Sequence, residues 1–183
     1  MSRINPINVD QAAGKAKELL DTVQAKLGIK PNMMKTMAQS PAVLEAYLGL
    51  NTTLASTFTG KLREQIALVT AEENNCGYCR AAHTALGKLA GLTDEESLAA
   101  RAGTSEDLKT RAALEFARAV LRNKGSVTDV DLGSVRAAGF SDANIAEIVA
   151  HVALNVFTNY FNLVAETEID FPRVEPIATA KAV

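Results

Sequence analysis

The chain is punctuated from end to end by helix stops and helix starts. Gly28, Gly91, Gly103, Gly125 and Gly139 each follow an apolar run spaced at three and four residues. Glycine is favoured there because a helix often ends in a left-handed residue that it adopts without steric cost. Ser40-Pro41, Thr93-Asp94-Glu95-Glu96, Thr128 and Ser141 stand where new runs begin, as capping side chains do. The pattern predicts helices over about 9–27, 31–38, 41–57, 61–74, 76–90, 93–103, 104–125, 128–138 and 141–161. Gly60 is read as the break before the fourth, Asn74-Asn75 as the cap before the fifth, and Phe140 with Ile145 as a hydrophobic staple on the last. No segment alternates apolar and polar residues as a half-buried strand would. The predicted fold is an all-α, single-domain bundle of about eight helices over residues 1–171. Pro172 and Pro176 mark 172–183 as a C-terminal tail.

A chain of 183 residues with 48% apolar residues can bury a real core. The net charge is −2 and Lys and Arg are not clustered, so neither nucleic acid nor anionic lipid is an expected partner. The most apolar stretch, Ile145 to Phe157, is interrupted by Glu147, His151 and Asn155, and no membrane span is expected. The N-terminus lacks an apolar secretion core, which makes the cytoplasm the default location.

There are two cysteines, three residues apart, in Cys76-Gly77-Tyr78-Cys79-Arg80-Ala81-Ala82-His83. On a helix Cys76 and Cys79 share a face within disulfide reach, and His83 stands one turn beyond Cys79. A sulfur in the first turn of a helix gains from the free N–H groups and the positive dipole end, and an adjacent imidazole can take its proton. Arg80 adds positive charge unless it points into water, and Gly77 leaves room for a thiol or a partner's backbone to approach. Glu64, on the preceding helix, would orient His83 if the two helices fold back on each other.

A Glu, eleven residues, CxxC, three residues and a His resembles the alkylhydroperoxidase D-like family of the carboxymuconolactone decarboxylase superfamily. Gly28-Ile29-Lys30-Pro31-Asn32, Leu62-Arg63-Glu64-Gln65-Ile66-Ala67-Leu68-Val69, Asn159-Tyr160-Phe161-Asn162 and Asp170-Phe171-Pro172 are similar to a peroxidase-related branch. The resemblance implies an all-helical fold that assembles as a trimer or hexamer, and no cofactor. It implies a thiol-dependent peroxidase drawing on a dithiol donor such as a lipoylated protein, acting on a hydroperoxide or on a partner peroxiredoxin. The roles it implies are Cys79 as attacking thiolate, Cys76 as resolving thiol, and His83 and Glu64 as proton relay. Tyr78 departs from the best-studied members, which carry His before the second cysteine.

Two other readings fit the same residues: a redox-sensing helical protein without turnover, and a metal site built from both thiolates, His83 and Glu64. His151 reads as a core or interface histidine. Met33, Met34 and Met37 read as packing residues, and Tyr78 either lines an entrance or shields the cysteines. Asn159 and Asn162, one turn apart, suggest a bond across a subunit interface.

Overall fold

The structure, a computed structural model, describes residues 2–177. Those residues form a 3-10 turn, Val9–Gln11, and nine α-helices. The helices are α1 (Gly14–Leu27), α2 (Asn32–Met37), α3 (Pro41–Leu54), α4 (Gly60–Glu73), α5 (Gly77–Leu89), α6 (Asp94–Arg101), α7 (Leu108–Arg122), α8 (Asp129–Ala137) and α9 (Asp142–Ala165). There is no strand among the described residues. Residues 178–183 of the expected tail lie outside them.

Most starts and stops follow the caps. Thr93 and Glu96 satisfy each other's backbone N–H groups in a capping box, as do Thr128 with Asp131 and Ser141 with Asn144. Gly28, Gly91, Gly103, Gly125 and Gly139 all take positive φ. Phe140 is buried, and Ile145 packs against the same cluster. Five readings need correction. The seventh helix begins at Leu108 rather than at Thr104 or Ser105, because the Asp107 side chain accepts from Thr110 N and serves as its cap. The first helix begins at Gly14, because Val9–Gln11 makes its own short turn held by Asn8. Gly60 opens α4 rather than breaking before it, since the Thr59 hydroxyl accepts from Leu62 N and serves as the cap. Ser40 sits at the cap position of α3 but makes no side-chain cap bond; Pro41 alone marks the start. Asn74 and Asn75 do not cap α5. Asn74 closes α4, Asn75 turns the chain in the left-handed region at φ 50, and Cys76 itself caps α5.

α4 is the axis of the bundle, packed by α5, α6, α7 and α9. Two apolar clusters fill the interior. One gathers Ile66, Leu68, Val69, Leu114, Phe116, Val135 and Ile148 from α4, α7, α8 and α9. The other gathers Leu20, Val23, Met33, Met34, Met37, Leu44, Cys76, Tyr78 and Cys79 from α1, α2, α3 and the start of α5. α9 is long and apolar enough, by length and composition, to cross a membrane, but half of its most apolar window is buried within the bundle. Like α4, which places Ala71 in one cluster and Ile66 in the other, it serves both, through Ile148 and Val152 on one and Phe161 on the other.

After α9 the chain turns at Glu166, in the left-handed region, and returns across α2. Asp170 Oδ2 accepts from Asn32 N at 2.7 Å, and the Glu168 carbonyl accepts from Asn32 Nδ2 at 3.0 Å. These bonds lay Ile169 and Phe171 over the start of α5, where they pack against the second cluster.

Candidate active site

The α4–α5 turn delivers the cysteines. Cys76, at the helix cap, accepts from Cys79 N at Sγ, 3.3 Å away, so the sulfur does what a cap oxygen usually does. Both cysteines are free thiols, 1% and 2% exposed. Their exposures match, but their surroundings do not. Cys79 lines a cavity of about 270 Å³, while Cys76 lies behind it and does not reach that space.

His83 and Glu64 also meet. Nδ1 of His83 lies 2.8 Å from Oε2 of Glu64, with both side chains about four-fifths buried (21% and 19% exposed). A carboxylate can only accept, so Nδ1 carries the hydrogen and Nε2 is the nitrogen available for proton exchange. His83 lines the same cavity as Cys79. The antiparallel return of α5 on α4, expected from the tight turn, brings this pair together.

The electrostatics of the two sulfurs differ in sign. A hydrogen bond from the Cys79 thiol holds the Cys76 thiol below its ordinary pKa, helped by the Cys79 backbone N–H and by positive charge at His83 and Arg80. Burial pushes the Cys79 thiol well above its ordinary value, and hydrogen bonding to Cys76 and its negative charge push the same way. Of the two thiols Cys76 is therefore the one that ionises more readily, not Cys79 as the helix-start argument alone suggests. The cap bond and the Cys79 S–H both point at Cys76, and the influence of His83 reaches Cys76 as well.

Arg80 does not point into water. It is 5% exposed, donates to Asn75 Oδ1 at 3.0 Å and lies 3.8 Å from Glu72, which also binds Arg101 at 2.9 Å and Ile177 N at 2.8 Å. Gly77 is not an open approach, since Ile169 Cδ1 stands 3.7 Å from where a Cβ would lie. Tyr78 does both things considered for it: it is 5% exposed, lines the cavity, packs edge-on to Phe171, and its hydroxyl accepts from Met33 N at 3.2 Å.

Met33 and Met34 line the cavity as well as packing the core; only Met37 is purely interior. The other walls are mainly apolar, including Leu27, Ile29, Leu86, Leu89, Leu154 and Phe171. Tyr47 joins them, its phenol pushed above its ordinary pKa by burial and by the nearby Glu64 carboxylate.

Asn162 and Asn159 are not interface residues. They are 3% and 0% exposed within this one chain; Asn162 Nδ2 reaches Cys79 Sγ at 3.4 Å, and Asn159 Oδ1 accepts from Asn74 at 3.0 Å. Their i,i+3 spacing was the available signal, but it does not say which helix they face. His151 belongs to the other side of α9. Thr57 gives its hydroxyl proton to the Leu54 carbonyl, so His151 Nε2 donates to Thr57 Oγ1, at 2.8 Å. Burial lowers the pKa of this ring. Among the described residues, no three His, Cys, Asp or Glu side chains are grouped to hold a metal ion, which leaves the zinc alternative without a geometric basis.

Residues 41–123, which carry α3 to α7 and the whole Glu-Cys-Cys-His constellation, match the carboxymuconolactone decarboxylase family. No curated protein matches the chain. Among solved structures, a peroxidase-related protein from Ralstonia eutropha JMP134, described as an alkylhydroperoxidase AhpD core, superposes with a TM-score of 0.83 at 23% identity, covering 92% of each chain. A peroxidase-related protein from Silicibacter sp. TM1040 gives 0.78 at 23% identity, covering 91% of this chain and 92% of its own. The debrominase Bmp8, as a cysteine-to-alanine variant in complex with 2,3,4-tribromopyrrole, gives 0.79 at 21% identity, covering 93% of this chain and 92% of its own. The segment that holds the site thus resembles the carboxymuconolactone decarboxylase family, and the chain has the alkylhydroperoxidase D-like fold.

Proposed function

We propose that the protein is a dithiol peroxidase of the alkylhydroperoxidase D type, with Cys79, Cys76, His83 and Glu64 as its working residues. The observation that carries this reading is the asymmetry of two hydrogen-bonded thiols, only one of which borders a cavity that also holds an imidazole–carboxylate pair. The proton of Cys79 passes to Cys76, and the Cys79 thiolate attacks the outer oxygen of a hydroperoxide. The O–O bond breaks, Cys79 becomes a sulfenic acid, and the alkoxide takes a proton from His83, whose positive charge Glu64 supports. Cys76 then attacks the Cys79 sulfur; a disulfide forms and water leaves. An external dithiol, such as a dihydrolipoyl group on a protein, reopens the disulfide by exchange. A peroxiredoxin disulfide is the other oxidant such a dithiol could serve.

Apolar walls favour an organic hydroperoxide over hydrogen peroxide, because burying a hydrocarbon group against Leu and Met gains about 25 cal/mol per Å² removed from water. Steady-state turnover of cumene hydroperoxide with dihydrolipoamide tests the reading. Cys79→Ser is expected to abolish turnover, and His83→Ala to slow it by about 10²-fold or more. Full activity in Cys79→Ser would end the proposal. A redox sensor would instead form the disulfide without sustained consumption of peroxide.

A further inference from the structure

Asn159 and Asn162 stand one turn apart on α9, enclosed, and each leaves one amide atom without a partner: Nδ2 of Asn159 and Oδ1 of Asn162. Their orientations are set by their neighbours. Asn162 Nδ2 reaches Met33 Sδ at 3.2 Å as well as Cys79 Sγ at 3.4 Å. A thioether has no proton to give, so the amide must present its N–H groups to the two sulfurs. Asn159 Oδ1 accepts from Asn74 Nδ2, which leaves Asn159 Nδ2 as an enclosed donor with no partner, one helical turn from Asn162. One amide of this helix face therefore donates to Cys79 Sγ, and the other, one turn away, holds a buried N–H donor unpaired. A buried N–H left unpaired is costly, and a neutral thiol is a weak acceptor that offers it little. A thiolate at Cys79 would accept from both.

We propose that Asn159 and Asn162 form a paired amide cradle for negative charge on Cys79 Sγ, so that the thiolate can leave the enclosed Cys76 for the cavity-facing sulfur. The step is a proton transfer alone: Cys79 S–H loses its proton, Cys76 S⁻ gains it, and no electrons change hands. This inference rests on the dithiol reading above and assigns to it the groups that make the transfer affordable. α9 is suited to the task because it brings no ionisable side chain to this wall. The titratable groups facing Cys79 come from elsewhere: Cys76, Tyr78 and His83 on α5, Glu64 on α4 and Tyr47 on α3. The amides stabilise charge there without adding a proton of their own to the cycle.

The test needs no peroxide. In a Cys76→Ser background, the pH dependence of Cys79 alkylation by iodoacetamide, followed by mass spectrometry, reports its thiolate directly. Asn162→Ala and Asn159→Ala are each expected to raise the Cys79 pKa by about one pH unit, a tenfold slower alkylation below that pKa. Asn159→Asp keeps the acceptor for Asn74 and exchanges the donor for a carboxylate oxygen, so it should slow alkylation further. It is nearly isosteric and carries the test if an alanine variant fails to fold. A titration of Cys79 that is unchanged, or shifted down, in the folded variants would overturn the cradle. Loss of the proposed peroxidase function would show separately, as retained turnover in Cys79→Ser.

Discussion

The two halves of the core are built from different materials. The cluster on α4, α6, α7, α8 and α9 is made of branched aliphatics and Phe, with Ile66, Leu68, Val69, Leu114, Val135 and Ile148 completely enclosed. The cluster around α1, α2, α3 and the start of α5 contains every sulfur of the described residues: Met33, Met34, Met37, Cys76 and Cys79. It borders the cavity, and the unpartnered amide atoms of α9 lie beside it. Branched aliphatics hold few rotamers and fill space uniquely; thioethers and thiols adapt and polarise. The contrast predicts that stability is concentrated in the aliphatic half, while the sulfur-rich half leaves space open beside Cys79.

Truncation should separate the halves most sharply. Leu114→Ala, in the aliphatic cluster, is expected to cost about 2–5 kcal/mol in denaturant unfolding. Leu154→Ala, on the cavity wall, should cost less, because the lost methyl groups already faced open space on one side. Equal costs would erase the contrast. The next effect belongs to the site alone. Glu64→Gln removes the carboxylate that supports the His83 charge and should slow peroxide turnover by about 10–10²-fold, with thermal stability changed by only a few degrees. A variant that lost stability and kept its rate would make Glu64 a structural residue.

The smallest effect lies with His151. Its folded-state pKa is lowered by burial, so as pH falls below about 6.5 the unfolded chain takes up a proton that the native ring resists. Stability should therefore fall on the acid side of that value, down to the folded-state pKa. His151→Gln should flatten that part of the pH profile of unfolding while leaving peroxide turnover intact. An unaltered profile would mean that the ring contributes no proton linkage.

Much of this organisation is legible in the chain itself. Capping residues and glycines announce the helices because their local backbone needs do not depend on the rest of the fold, as Thr93, Thr128 and Ser141 show. The Cys-Cys-His spacing is legible because three residues on one helix have a fixed geometry. Asn162 and Met33 reach the site from 83 and 129 residues apart in bonding terms, Asn162 to Cys79 and Asn162 to Met33, and no local pattern encodes such contacts. The charge balance between the cysteines is hidden for a related reason. It depends on Cys76 acting as its own cap and on the burial of Cys79, both tertiary outcomes.

The claim beneath all of this is that access, not resting acidity, selects the sulfur that meets the oxidant. One equivalent of cumene hydroperoxide, added separately to Cys76→Ser and Cys79→Ser proteins with dimedone present, tests it by mass spectrometry. The account predicts a sulfenic acid adduct on Cys79 in the first and none on Cys76 in the second. Equal or faster labelling of Cys76 would contradict it.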